Sequence, residues 1–235
     1  MDRKMIELAL FKLESTLLHP SPVRTACVSA VLDEAGIDVH PCLVDATLGL
    51  PTALTLRLLA PDARPELEAM HRELERRLVA AYASSKDSPE VFGATRCLER
   101  LQMMDIRVAI DTGFSRPVVD VLLERLGWVA RGILDAVVTA EEDAIDTALQ
   151  MTRVRSALRV ARIGKSTFDV LTAAEAGCRV RALVGEASTF EGLPYTHAIP
   201  SATLVPELLR RIQQSEARRS MAPVRYENPA FVRSA

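Results

Sequence analysis

The sequence is poor in aromatic residues, in lysine and in paired cysteines. Aromatic side chains fill 4% of its 235 positions, so the one tryptophan, Trp128, and Phe114 are read as core packing. The cysteines, Cys27, Cys42, Cys97 and Cys178, lie far apart, and no spacing among them suggests a zinc site, a redox pair or a disulfide framework. Buried free thiols are the reading that remains. Excess positive charge is missing too: with a formal charge of −2 and a pI near 6.1 there is no net field to hold a polyanion, and nucleic acid is not an expected partner. Residues 5–11 form an apolar stretch too short and interrupted for a signal peptide or a membrane span, so no membrane association and a cytoplasmic location are expected. His19, His40, His71 and His197 show no pairing with a serine or cysteine and are read as exposed or capping residues. No internal repeat or low-complexity segment is present.

What the chain does have is apolar content, 49% of its residues, enough for one full core and a modest second domain. Residues 6–11 suit a buried strand. Ser21-Pro22 offers an N-cap and a first-turn proline, and Val23, Cys27, Ala30 and Val31 recur at helical spacing until Gly36. Leu67, Met70, Leu74, Leu78 and Tyr82 form an apolar stripe, and the pattern is helical from residue 17 to about 88. From residue 90 onward short apolar runs alternate with capped helices, which argues a parallel sheet. Strands are expected at 106–110, 133–138, 160–163, 180–184 and 197–199. Helices are expected from Ser115 to Gly127, from Thr167 to Gly177 and from about Pro206. The expected fold is therefore α/β, a doubly wound Rossmann-like parallel sheet with a helical cap inserted after strand one. Residues 1–16 and 90–217 make the core and 17–89 the cap. Residues 218–235 read as a loose C-terminal tail that Tyr226 and Phe231 could anchor.

In an open parallel sheet, ligands bind beyond the carboxyl ends of the strands. The segments there are Lys12-Leu13-Glu14-Ser15-Thr16, Asp111-Thr112-Gly113-Phe114-Ser115 and Gly164-Lys165-Ser166-Thr167-Phe168-Asp169. Residues 11–17 resemble the opening motif of the haloacid dehalogenase superfamily, whose usual form is Asp-x-Asp-Gly-Thr after a hydrophobic strand. Thr112-Gly113-Phe114-Ser115-Arg116 is similar to the second motif of the phosphonatase-like branch, and residues 164–169 are similar to its Gly-Asp-Thr-x-x-Asp motif. The likeness continues through Ala176-Gly177-Cys178 and Thr196-His197. Gly49-Leu50-Pro51, in the helical insert, resembles the cap loop of the same branch. It is the order and spacing of these motifs together that carry the resemblance.

The resemblance implies a phosphoryl-transfer fold in which a first aspartate attacks phosphorus, a second is general acid and base, and magnesium bridges the first and last motifs. This sequence departs from that pattern. Lys12 stands at the nucleophile position and Lys165 at an acidic position of the last motif, so two oxygen ligands become ammonium groups that repel a divalent ion. Glu14 is one methylene longer than the usual aspartate, and Ser15 replaces the usual glycine. The basic residue of the third motif falls nearest Arg162, with Arg153 and Arg155 as alternatives. Thr16, Thr112 and Asp169 are retained.

Of 29 basic residues only Lys4, Lys12, Lys86 and Lys165 are lysine, yet two of these sit in the altered motifs. Three roles fit them. They can pair with Glu14 and Asp169 as structural salt bridges. They can form an anion pocket with Thr16, Thr112, Gly113, Arg162 and Ser166. Or Lys12, with Glu14, can act as base or amine nucleophile in metal-independent chemistry. Asp169, three residues after Ser166, also fits a capping box. The leading expectation is a catalytically degenerate protein, with no metal or cofactor, that binds a small anionic metabolite or a protein partner. Re-tooled lysine chemistry is the alternative, and a weak residual phosphonatase-like hydrolase ranks last.

Overall fold

The structure, a computed structural model, describes residues 6–85, 90–140 and 143–221. Its strands are β1 (Leu8–Lys12), β2 (Arg107–Asp111), β3 (Ala136–Val138), β4 (Val160–Gly164), β5 (Val180–Val184) and β6 (His197–Ile199). They form one parallel sheet in the order β3-β2-β1-β4-β5-β6. The order reverses between β1 and β4, the switch point at which such sheets leave a crevice. The α/β class and the doubly wound parallel sheet are as the sequence predicts.

Among the described residues, the helices of the insert that follows β1 are α1 (Pro22–Glu34), α2 (Pro41–Ala46), α3 (Thr52–Leu59) and α4 (Leu67–Ser84). The others are α5 (Ala94–Met103), α6 (Arg116–Leu126), α7 (Ala144–Thr152), α8 (Thr167–Glu175) and α9 (Val205–Met221). Among the described residues, no helix is long and apolar enough to cross a membrane.

Alternation along each strand sorts its side chains to two faces. Ala9, Phe11, Val108, Ile110, Ala161 and Ile163 belong to the larger core, whereas Leu8, Leu10 and Ala109 meet residues of α7 and α8 on the other face. The stripe of α4 is buried as predicted, through Met70, Leu74, Leu78 and Tyr82. Those residues share a single hydrophobic cluster with Phe114 and with Val118 and Leu122 of α6. Tyr82 meets the Phe114 ring edge to face at 5.7 Å.

Several details differ from the sequence reading. Residues 133–135 are not strand, because the Ile133 N–H closes a turn onto the Trp128 carbonyl and the Asp135 carboxylate accepts from Val108 N–H at 2.8 Å. Helices α5 and α7 stand where the sequence reading places no element. Gly93 opens α5 without a side-chain cap, whereas Asp143 caps α7 through the N–H groups of Ile145 and Asp146. The segment read as a loose tail begins inside α9, which runs to Met221; Tyr226 and Phe231 lie outside the described residues.

Because insert and sheet share one core, Leu78→Ala should cost about 2–5 kcal/mol. Denaturation followed by Trp128 fluorescence and by far-ultraviolet dichroism should move together. Separate transitions for the two probes would contradict the shared core.

Candidate functional site

Lys12 and Asp111 are register partners at the ends of β1 and β2. Partners in a parallel pair project to the same face, and the Lys12 ammonium accordingly lies 3.2 Å from Asp111 Oδ2. Arg162 is in register with Leu10, one pleat behind Lys12 on that face. Its guanidinium donates through Nη1 to Asp111 Oδ1 and through Nη2 to Asp169 Oδ1, the latter at 2.8 Å. Asp169 Oδ2 accepts from the N–H groups of Lys165 and Ser166 at 3.1 and 3.0 Å and from the Ser166 hydroxyl at 2.7 Å. Ser166 and Asp169 thus form a capping box at the start of α8. A side-chain carbon at Gly164 would come within 2.4 Å of the Asp169 carboxyl, so the strand must end in glycine for this carboxylate to fit.

The resulting chain, Lys12–Asp111–Arg162–Asp169, is buried except at Lys12, which is half-buried. Burial alone would raise the Asp111 pKa, but Arg162 and Lys12 overcome it and hold the carboxyl below its ordinary value. Burial likewise opposes the charge on Lys12, and Glu14, then Asp111, outweigh it and hold the ammonium's pKa above the ordinary lysine value. Arg162 is held cationic by Asp111 and Asp169 against the cost of burial. Glu14 behaves differently. Burial pushes its pKa up, against the pull of Lys12. One of its oxygens accepts from Gly113 N–H at 2.7 Å, while Oε2 is buried and makes no hydrogen bond.

The turn after β1 keeps its shape without its glycine. Ser15 has φ 61°, a left-handed conformation that glycine adopts without strain. The cap loop closes over this turn and over the end of β2. A methyl group on Gly113 would lie 2.4 Å from the Leu50 carbonyl oxygen, and the Thr52 N–H donates to the Gly113 carbonyl at 3.2 Å. Gly49, at φ 86°, passes beside the Lys12 side chain.

Of the residues singled out from sequence, Lys12, Glu14, Thr112, Gly113, Arg162 and Asp169 come together. Arg162, rather than Arg153 or Arg155, is the basic residue beside them. Thr16 is buried in the first turn, its hydroxyl without a hydrogen bond. Ser166 serves the α8 cap. Lys165 does not join: its side chain is exposed, and only its backbone N–H reaches Asp169. The pair of lysines expected to face one anion is therefore not formed. Lys12 is tied to Asp111, and the residue that binds Asp169 is Arg162. Asp111 is the member that sequence reasoning passed over, although it ends an apolar strand beside the retained Thr112.

Two histidine contacts were also missed. His71 Nε2 lies 2.8 Å from the Thr52 hydroxyl and His40 Nδ1 lies 3.0 Å from the Cys42 thiol, which is exposed rather than buried. The His40-Pro41-Cys42 spacing was a usable signal for the second.

A cavity of about 500 Å³ opens between the strand ends, the cap loop, the first turn of α7 and one side of α8 from Phe168 to Ala176. Its charged wall residues are the cations Lys12 and Arg162 and the carboxylates Asp111, Asp143, Asp146 and Glu175. Negative charge is in excess, and both cations are already paired. The motif resemblance implies magnesium, but the residues present do not fit it. Arg162 stands between the two carboxylates that could share a divalent ion, and an ammonium sits 3.2 Å from one of them. Among the described residues, no group of three or more His, Cys, Asp or Glu is arranged to hold a metal.

No family model and no curated protein matches the sequence. Solved structures do. A haloacid dehalogenase-like hydrolase from Bacteroides fragilis is similar at TM-score 0.72 and 21% identity, over 85% of this chain and 99% of that one. This chain has the haloacid dehalogenase fold. A phosphonoacetaldehyde hydrolase-like protein from Oleispira antarctica is similar at TM-score 0.73 and 12% identity, over 91% and 94% of the two chains. The β-phosphoglucomutase of Clostridium difficile is similar at TM-score 0.75 and 13% identity, over 91% and 99%. At these identities the likeness is one of fold.

Two outcomes are expected. Gly113→Ala forces a carbon against the Leu50 carbonyl and should cost about 1–3 kcal/mol in chemical denaturation, the range for overpacking. For Glu14, a folded pKa above the ordinary 4.5 gives stability that is full below that pH and lost as pH rises through the folded pKa. Glu14→Gln keeps an acceptor for Gly113 N–H and should remove this loss. Relative to wild type, it should therefore gain stability as pH rises from the ordinary glutamate value through the raised folded value. A parallel pH dependence in the two proteins would contradict the assignment.

Proposed function

We propose that this protein keeps the haloacid dehalogenase fold without magnesium-dependent phosphoryl transfer, and acts by binding a small molecule in the cavity between the cap loop and the strand ends. The observation that carries this reading is the closed chain of ion pairs Lys12–Asp111–Arg162–Asp169. By resemblance, Lys12 occupies the nucleophile's place, and an ammonium has no lone pair with which to attack phosphorus. Arg162 takes the position between two carboxylates that a divalent cation would need. Lys12 is also unsuited to amine chemistry, because Glu14 and Asp111 hold it protonated.

The wall of the cavity argues against phosphate as the ligand's main handle. A phosphate reaching Lys12 would compete with Asp111 and pass Asp143, Asp146 and Glu175. Leu50, Pro51, Leu54 and Phe168 add apolar surface, so an organic ligand with an apolar body and little negative charge suits the site.

Phosphomonoester assays with magnesium should give no turnover above the blank. Turnover that is lost both with chelator and in Lys12→Ala would overturn the proposal. Calorimetry supplies a second check. Lys12→Asp returns a carboxylate, but Arg162 still stands between the acids, so no magnesium binding is expected until Arg162→Met is added. Tight binding by Lys12→Asp alone would mean that Arg162 does not block the ion.

A further inference from the structure

We propose that a second, smaller cavity, at the seam between the insert and the sheet, binds one water molecule that joins the Glu14 carboxylate to the Arg24 guanidinium of α1, so that the insert is seated on a water-bridged ion pair. The cavity has a volume of about 20 Å³, and its lining shares no residue with the strand-end cavity. Glu14 and Arg24 face it together with Ser21 and Tyr82, and exposed His19 stands at its edge.

Arg24 is 2% exposed. Its Nη2 donates to the Thr55 hydroxyl at 2.8 Å and to the Thr47 carbonyl at 3.1 Å, and Nη1 reaches the Thr47 hydroxyl at 3.4 Å. These bonds tie α1 to the end of α2 and to α3, but every partner is uncharged. A buried cation without an opposite charge is costly. Burial works against the charge on Arg24, and Glu14 comes first among the groups that favour it. The others offer little. Asp45 is exposed and accepts from the Thr25 hydroxyl at 2.6 Å, and Tyr82 is neutral because burial pushes it up to about 12.

Glu14 has the complementary need. It is 8% exposed, and its Oε2 is buried without a hydrogen bond. From β1 it faces Lys12, and from β2 Asp111, to which Lys12 is already bound. Arg24 is the cation that the insert brings, yet no direct hydrogen bond joins the two side chains.

The chemistry of the wall selects what lies between them. Glu14 Oε2 can only accept, whereas Arg24 Nε can only donate and makes no hydrogen bond among the described residues. A molecule that satisfies both must donate to one and accept from the other. A cation would be repelled by Arg24 and an anion by Glu14. Water has both functions, and a volume above roughly 10–15 Å³ admits one molecule.

Two measurements test the site. A high-resolution crystal structure of the full chain, grown well above the ordinary glutamate pKa, should show one ordered water within hydrogen-bond distance of Glu14 Oε2 and Arg24. A dry cavity, or direct contact of the two side chains, would overturn the bridge. The second measurement is a double-mutant cycle of Glu14→Gln and Arg24→Met in chemical denaturation at the same pH. Arg24→Met should lower the folding constant about tenfold less in the Glu14→Gln background than in wild type. Below the ordinary glutamate value, where Glu14 is neutral, that coupling should largely disappear. Additive effects, or a coupling of the same size at both pH values, would assign Arg24 to packing alone. The water is read on the wild-type chain, so the proposal stands or falls even if Arg24→Met does not fold.

Discussion

Arg162 leaves the middle of β4 and holds its guanidinium between the carboxylates of Asp111 and Asp169. All three groups have been taken out of water, and each is tolerable only because the others are present. The register of the sheet makes this geometry unavoidable. Leu10 beside Arg162, and Lys12 beside Asp111, place every member on the face covered by α7 and α8. The guanidinium also fixes what the strand ends cannot do, since a planar cation with several donors suits two carboxylates and leaves them no vacancy for a hard ion.

Glu14 follows from the same arrangement. Its nearest cation, Lys12, is shared with Asp111, so its carboxyl is left with one backbone donor and a buried second oxygen. A longer side chain than aspartate reaches the Gly113 N–H and so ties the first turn to the end of β2. The Thr52 N–H meets the other side of the same residue. Gly113 therefore joins the turn after β1, the sheet and the cap loop, which explains why no side chain is tolerated there.

Much of this was legible in the sequence because strands and caps are local signals. Short apolar runs alternating with capped helices located the strands, though β3 is shorter than its run, and Ser21, Ser115 and Ser166 marked helix starts to within a residue. Resemblance added the fold, which similar solved structures bear out. Pairing was not legible. Lys12 and Lys165 look equivalent as substitutions, yet one enters the cluster and the other points to solvent, because β1 is central in the sheet whereas Lys165 lies past the end of β4. Asp111 was overlooked since its importance depends on register with Lys12, a contact across 99 residues. The exposure of Cys42 was missed for a related reason: burial is a property of the assembled helices, and α2 turns that residue outward while Val44 faces in.

The continuity of the hydrophobic core from α4 to α6 limits how a molecule can come and go. Swinging the insert away as a rigid lid would expose the stripe of Met70, Leu74, Leu78 and Tyr82 together with Phe114, and apolar surface returns to water at about 25 cal/mol for each Å². The loop of Gly49, Leu50 and Pro51 is held to the sheet through Gly113 by a backbone hydrogen bond and close carbonyl contacts, a far smaller attachment. Traffic through the cavity is therefore cheapest by local breathing of that loop, with the helices acting as fixed walls.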